Sequence, residues 1–186
     1  MIVYLHGFNS SPESHKARVL QRYLADRGMG DRYACPALPV LASDAVREIE
    51  RMPIKSSTCL VGSSLGGFYA TYLAEKHGAK AVLLNPAVEP HVGLRAYLGP
   101  QKNLHTGAAY ELTPLHLEAL EQLVVPTVHP ERYLLIVETG DEVLDYRHAV
   151  SRYAGARQIV VQGGDHALQS FAEHLPEIVQ FAGLAR

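Results

Sequence analysis

The stretch CLVGSSLGGFYATYLA, residues 59–74, interrupts an apolar run with five small or polar residues and then resumes it at once. Residues 58–62 have the continuous hydrophobicity of a strand that is buried on both faces. Over residues 65–77 the apolar side chains recur at helical spacing instead. The sequence therefore predicts a buried strand that turns sharply into a helix.

The residues at this turn, Gly62 to Gly66, fit the pattern G-x-S-x-G with Ser64 at its centre. A nucleophile on so sharp a turn needs glycine two positions before and after it, because a Cβ there would collide with the neighbouring strand or helix. The adjacent Ser63 does not fit, since the pattern would then need glycine at positions 61 and 65. We predict Ser64 as a nucleophile and the Leu65 N–H, at the helix start, as an oxyanion donor.

Strands and helices alternate along most of the chain, which predicts right-handed crossovers and a three-layer α/β/α sandwich. Its mostly parallel sheet should have about six strands. The predicted strands are residues 2–5, 33–38, 58–62, 81–85, 133–138 and 158–162. One predicted helix begins near residues 10–13. Further helices are predicted over residues 43–51, 65–77, 146–154 and 167–182.

Residues 86–131 break this alternation because they are too long for a simple crossover. They contain two weaker helical patterns, at 92–98 and 115–123, separated by a stretch that includes the loop GPQKNLHTG. We expect residues 1–186 to form a single α/β domain in which residues 86–131 are a small cap-like insertion over the sheet edge.

The loop after the first strand, His6-Gly7-Phe8-Asn9-Ser10, is the expected source of a second oxyanion donor. Gly7 would let the backbone turn so that the Phe8 N–H faces Ser64, while the Phe8 ring lines the pocket. Gly7, Phe8 and Asn9 are therefore the predicted substrate-binding residues. His6 ends a strand beside this loop, and we expect it to shape the loop by hydrogen bonding.

A general base should lie on a late loop, where its imidazole can reach over the carboxyl edge of the sheet. His166 follows the last predicted strand and two glycines, and it is the predicted base.

The acid that orients this imidazole should follow strand 133–138, and Asp141 comes first after the turn glycine there. Asp145 fits better as the N-cap of a helix that starts near residue 146, and Glu142 should point away. Asp165 is adjacent to His166 and should cap the final helix. The order Ser64, Asp141, His166 is the one expected on an α/β-hydrolase sheet.

Composition and the motifs that are missing argue against several other functions for these 186 residues. The net charge is −2 and the basic residues are spread, which disfavours nucleic acid and anionic membrane surfaces as partners. No compact metal-binding pattern appears. Two cysteines without C-x-x-C spacing, and no signal peptide or membrane-spanning run, predict a cytoplasmic protein. The oligomeric state stays open.

Five motifs, in this order, resemble the YqiA-like esterases of the α/β-hydrolase superfamily across almost the whole chain: YLHGFNSSP, VGSSLGGFYATYLA, NPAV, TGDEVLDYR and GGDHA. The resemblance implies a carboxylic-ester or thioester hydrolase without a cofactor, acting on a small-molecule substrate. It also implies a triad of Ser64, Asp141 and His166, with Phe8 and Leu65 as oxyanion donors. The first antiparallel hairpin of the wider superfamily is missing, as is a proline often found after the acid. An acyl-CoA thioesterase and a non-catalytic binding protein with the same fold remain alternatives.

Overall fold

Six parallel strands form the central sheet of the computed structural model, which describes residues 1–184. The last two residues of the expected 1–186 domain lie outside the described residues. In chain order the strands are β1 (Ile2–Leu5), β2 (Tyr33–Ala34), β3 (Cys59–Ser63), β4 (Lys80–Leu84), β5 (Gly99–Lys102), β6 (Ala109–Leu112), β7 (Tyr133–Glu138) and β8 (Arg157–Val161). The sheet has the order β2-β1-β3-β4-β7-β8, and β5 and β6 pair with each other as an antiparallel hairpin.

Helices cover both faces of this sheet. They are α1 (His15–Ala25), α2 (Ala42–Glu50), α3 (Leu65–His77), α4 (Pro90–Gly93), α5 (Pro114–Glu121), α6 (Tyr146–Arg152) and α7 (Leu175–Phe181). Among the described residues, none of these helices has the length and apolar character needed to cross a bilayer.

Alternate residues of each strand point to opposite faces, which divides the core into two halves. On one face Leu60 and Leu135 pack with buried residues of α2, α3, α5 and α6. On the other face Val61 and Ile136 pack with buried residues of α1 and α7. The predicted three-layer sandwich with a mostly parallel six-stranded sheet is confirmed, and all six strands of this sheet are parallel.

Two element boundaries differ from the prediction at the first crossover. β2 spans two residues rather than 33–38, because Pro36 has no N–H to continue the ladder on this edge strand. α1 begins at His15 rather than near residues 10–13. Ser11 instead organises a turn before the helix: its side chain accepts the Glu13 N–H and its carbonyl accepts the Ser14 N–H.

The predicted final helix, residues 167–182, is divided in two. Residues Gln169–His174 form a 3-10 helix, and only Leu175–Phe181 is α-helical. Pro176 cannot donate a backbone hydrogen bond to the preceding turn, which explains why one continuous α-helix does not form.

Residues 86–131, which were expected to form an insertion and are called the insertion below, contain a hairpin that the sequence patterns did not predict. The first four residues of the stretch interpreted as a loop, GPQK, form β5. This strand pairs with β6 in the register Gly99↔Leu112 and Gln101↔Tyr110. The hairpin side chains alternate between exposed and more buried positions. α4 with the 3-10 helix Leu94–Tyr97, and α5, occupy the two regions where weak helical patterns were predicted.

The sharp turn between β3 and α3 depends on close backbone approach at two glycines. A Cβ on Gly66 would lie 2.0 Å from the carbonyl oxygen of Leu5, the last residue of β1. A Cβ on Gly62 would lie 2.2 Å from the carbonyl oxygen of Gly66 itself. Both contacts are with backbone, which cannot rotate away, so only glycine fits without moving β1 or α3.

We therefore predict that Gly66→Ala lowers the free energy of unfolding by about 3 kcal/mol, the upper end of the range for overpacked cores. Gly93→Ala is the matched control, because Gly93 has helical φ and ψ of −64° and −39° and open space where its Cβ would lie. The control should be neutral or stabilising by up to about 1 kcal/mol. Urea denaturation measures the free energy of unfolding of both variants. Equal values would contradict the close approach of the β1 backbone to Gly66.

Candidate active site

Ser64 occupies a backbone conformation that is rare for a residue with a side chain. It lies between β3 and α3 with φ 54° and ψ −121°. Its N–H donates to the Leu84 carbonyl, and its own carbonyl accepts the N–H groups of Gly67 and Ala87, at 2.9 to 3.1 Å. These bonds hold the strained turn in place. The neighbours of Ser64 on both sides are buried, whereas Ser64 itself is partly exposed.

The three predicted triad side chains meet at the carboxyl edge of the sheet. His166 Nε2 lies 3.1 Å from Ser64 Oγ, and His166 Nδ1 lies 3.0 and 2.9 Å from the two carboxylate oxygens of Asp141. Because an ionised carboxylate can only accept, the network assigns the proton to Nδ1. Nε2 then accepts from the Ser64 hydroxyl, as a general base must.

Asp141 is held as an ionised acceptor. Its side chain is 1% exposed, and Oδ1 also accepts the N–H groups of Val143 and Leu144 at 2.9 and 2.8 Å. Burial alone would raise the pKa of this carboxyl, but the hydrogen bonds from His166, Leu144 and Val143 outweigh it and lower the pKa below its ordinary value. The imidazole therefore faces a fixed negative charge.

Phe8 and Leu65, whose N–H groups are the predicted oxyanion donors, both lie next to Ser64. Within residues 1–184, neither the Phe8 N–H nor the Leu65 N–H has a hydrogen-bond acceptor. Leu65 is the first residue of α3, where the N–H groups have no intrahelical partner. The Phe8 loop lies directly against Ser64, since a Cβ on Gly7 would be 3.2 Å from Ser64 Cβ and 3.7 Å from Ser64 Oγ.

A small cavity of about 40 Å³ is lined by both Phe8 and Leu65. The three predicted substrate-binding residues, Gly7, Phe8 and Asn9, all line it, as do Tyr69 and Tyr110. The cavity has room for about three water-sized groups. The Asn9 side chain already has protein partners: it donates to Gln101 Oε1 at 3.2 Å and accepts from the Tyr110 hydroxyl at 2.6 Å.

His6 is buried, and both of its ring nitrogens face backbone groups. Nδ1 lies 3.1 Å from the Gly7 carbonyl, and Nε2 accepts the Leu38 N–H at 3.2 Å. Burial lowers the pKa of this imidazole, which favours the neutral form that this bonding needs. His6 therefore ties the Phe8 loop to the loop after β2, as expected from the sequence.

The sequence matches a known protein family over almost its whole length. The model of the Uncharacterised protein family (UPF0227) matches residues 1–183. This chain belongs to the UPF0227 family. A UPF0227 protein of Shewanella loihica is 26% identical over 193 residues, which cover 97% of this chain and 98% of the relative. The family resemblance expected from the five motifs is thereby confirmed.

Solved structures with the same architecture are α/β hydrolases. Mouse alpha/beta hydrolase domain-containing protein 10 superposes with a TM-score of 0.70 at 14% identity, over 98% of this chain and 88% of that one. The esterase domain of a Rhodothermus marinus protein gives a TM-score of 0.66 at 18% identity, over 97% and 85%. This UPF0227 member therefore has the α/β-hydrolase fold.

Glu138, the last residue of β7, holds the loop that carries His166. Its side chain is buried, and its carboxylate accepts the backbone N–H groups of Asp165, Gln169 and Ser170 at 2.8 to 3.0 Å. A Cβ on Gly164 would lie 1.9 Å from Glu138 Oε2, so the loop wraps closely around the carboxylate. From the sequence, Glu138 was read only as a strand residue.

Asn85 and Lys16 support the same loop from two other elements. The Asn85 side chain accepts the Glu138 N–H at 2.9 Å and donates to the carbonyls of Asp165 and His166 at 3.0 and 3.3 Å. Lys16 Nζ, on α1, donates to the Ala167 carbonyl at 2.7 Å. The position of His166 is thus fixed by the ends of β4 and β7 and by α1.

Among the described residues, no three His, Cys, Asp or Glu side chains cluster as metal ligands would.

The alternative acids have other partners. Asp145 caps α6 by accepting the Arg147 N–H at 3.0 Å, as predicted. Asp165 caps the turn after His166, where it accepts the Ala167 N–H, and not the final helix. Glu142 was expected to point away, but its carboxylate accepts the His166 backbone N–H at 3.0 Å. None of these three carboxylates bonds the His166 ring in the described residues.

We predict that Glu138→Gln lowers the free energy of unfolding by about 2–3 kcal/mol near neutral pH, because hydrogen bonds to a charged acceptor are lost. Burial raises the pKa of Glu138, but its hydrogen bonds from Ser170, Asp165 and Gln169 lower it below the ordinary value overall. This stabilisation is therefore present above the pKa of the unfolded state and disappears as pH falls through the folded value.

Urea denaturation at about pH 7 and about pH 3.5 tests this pH dependence. The stability gap between wild type and Glu138→Gln should narrow at the lower pH. Glu131→Gln is the control, because it removes the same charge at an exposed position. Its free energy of unfolding should be almost equal to that of wild type at both pH values. A gap of constant size for Glu138→Gln would contradict a role for its ionised form.

Proposed function

We propose that this protein is a serine hydrolase that cleaves carboxylic esters with small or short acyl groups. The observation that carries the proposal is the continuous contact from Ser64 Oγ through the His166 ring to the Asp141 carboxylate, at 3.1 and 2.9 Å. A hydroxyl, an imidazole and a buried carboxylate in this order form the arrangement that activates serine for acyl transfer.

Acylation begins when Ser64 Oγ attacks the ester carbonyl and His166 Nε2 takes the hydroxyl proton. The imidazolium that forms is stabilised by Asp141, which remains ionised. The negative charge that develops on the carbonyl oxygen is bound by the N–H groups of Phe8 and Leu65. His166 then gives its proton to the leaving alkoxide oxygen, so the ester bond breaks and an acyl-enzyme remains.

Deacylation repeats these steps with water as the nucleophile. His166, now neutral, removes a proton from a water molecule that attacks the acyl-enzyme carbonyl. The same two N–H groups bind the second oxyanion. Collapse of this intermediate releases the carboxylic acid and returns the proton to Ser64 Oγ.

The preference for small acyl groups is supported by the cavity beside Phe8 and Leu65. Its volume of about 40 Å³ favours small acyl groups over long ones. The esterase domain from Rhodothermus marinus has the same fold, which is consistent with ester cleavage. At 18% identity that likeness shows fold alone, so the proposal depends on the site geometry.

We predict that Ser64→Ala abolishes labelling by a fluorophosphonate probe and lowers kcat on p-nitrophenyl esters by about 10⁶-fold. Ser63→Ala is the matched control. Ser63 is the neighbouring serine, buried at the end of β3, and its loss should leave labelling and turnover near wild-type values. Labelling that persists in Ser64→Ala would contradict the assignment of the nucleophile.

The same purified protein distinguishes the alternative functions. A higher kcat/KM on acyl-CoA thioesters than on p-nitrophenyl esters would replace the esterase assignment with a thioesterase. Well-folded wild-type protein that neither labels nor turns over any ester, thioester or peptide amide would favour a binding protein that retains the hydrolase fold.

A further inference from the structure

The β5–β6 hairpin of the insertion is hydrogen-bonded to the loop that presents the Phe8 N–H. The Asn9 carbonyl accepts the Leu104 N–H at 2.9 Å, and the Ser10 carbonyl accepts Asn103 Nδ2 at 2.8 Å. The Asn9 side chain bonds to the Tyr110 hydroxyl at 2.6 Å and to Gln101 at 3.2 Å. Four hydrogen bonds thus join two segments that are more than 90 residues apart in the chain.

The backbone at Asn9 needs such support. Asn9 has φ 54°, in the left-handed region that residues with a side chain seldom adopt. Its carbonyl and both polar atoms of its side chain are engaged by the hairpin, which fixes the Asn9 side chain and the peptide unit that follows it. The Phe8 N–H belongs to the residue immediately before Asn9, so a fixed Asn9 restricts where the Phe8 backbone can lie.

The Phe8 side chain contacts the insertion as well. Its ring packs edge-on against Tyr97, with the ring centroids 6.2 Å apart. Gln101, which accepts from Asn9, donates in turn to the Tyr97 carbonyl at 2.7 Å. The loop is therefore held by the hairpin through Asn9 and Ser10, and by the preceding 3-10 helix through Phe8.

We infer that Tyr110 and Asn103 are positioning residues that fix the Phe8 N–H for oxyanion binding, an inference that rests on the proposed function. An oxyanion donor is effective only when it lies about 2.7–3.1 Å from the developing charge. A misplacement of about 1 Å can reduce the rate about 100-fold. The insertion thereby completes the catalytic site from outside the central sheet.

The variant Tyr110→Phe removes only the hydroxyl that donates to Asn9, and the double variant with Asn103→Ala removes the second side-chain contact. We predict that kcat/KM on p-nitrophenyl butyrate falls about 10-fold in Tyr110→Phe and about 100-fold in the double variant, with little change in KM. The affinity for a trifluoromethyl ketone, whose adduct carries an oxyanion, should fall by the same factors. Glu111→Gln, exposed on the same strand, is the control and should match wild type.

The outcomes separate this inference from the proposed function. Inactive, unlabelled wild-type protein would overturn the proposed function, and this inference with it. Active wild type with an unchanged Tyr110→Phe variant would overturn the inference alone, as would a rise in KM at constant kcat, which indicates direct substrate contact. Thermal unfolding identifies a variant that fails to fold, and Tyr110→Phe, the milder change, then decides the question.

Discussion

The strained turn at Ser64 is the constraint on which the rest of the site depends. The turn exists because Gly62 and Gly66 let β1, β3 and α3 approach within distances that no Cβ would allow. It raises the serine hydroxyl above the edge of the sheet and leaves the Leu65 N–H, at the start of α3, without an acceptor among residues 1–184. The same close packing brings the Phe8 loop, at the end of β1, against Ser64.

A parallel sheet supplies the other groups at the same edge, because the carboxyl ends of its strands lie side by side. β7 ends in Glu138 and leads to Asp141, and β8 leads to His166. Long-range hydrogen bonds then adjust the loops: Glu138 and Asn85 hold the histidine loop, and the insertion holds the Phe8 loop. The relative positions of Ser64, His166 and Asp141 thus depend on buried polar side chains other than these three.

The features that sequence predicted best are those with a local cause. The strand, glycine turn and helix around Ser64 are specified by residues within a few positions of each other, and the alternating elements specify the sheet. The hairpin was missed because GPQK is polar and contains a glycine and a proline, which are uncommon inside strands. Glu138 was missed because its role depends on N–H groups 27 to 32 residues further along the chain. No local sequence pattern indicates hydrogen bonds between residues so far apart in the chain.

A crystal structure of the protein after reaction with a fluorophosphonate tests the central claim most directly, because the adduct mimics the tetrahedral intermediate. The account predicts a phosphorus atom bonded to Ser64 Oγ, with the phosphoryl oxygen about 3 Å from the backbone nitrogens of both Phe8 and Leu65. A phosphoryl oxygen directed to solvent, or an adduct on another residue, would contradict it.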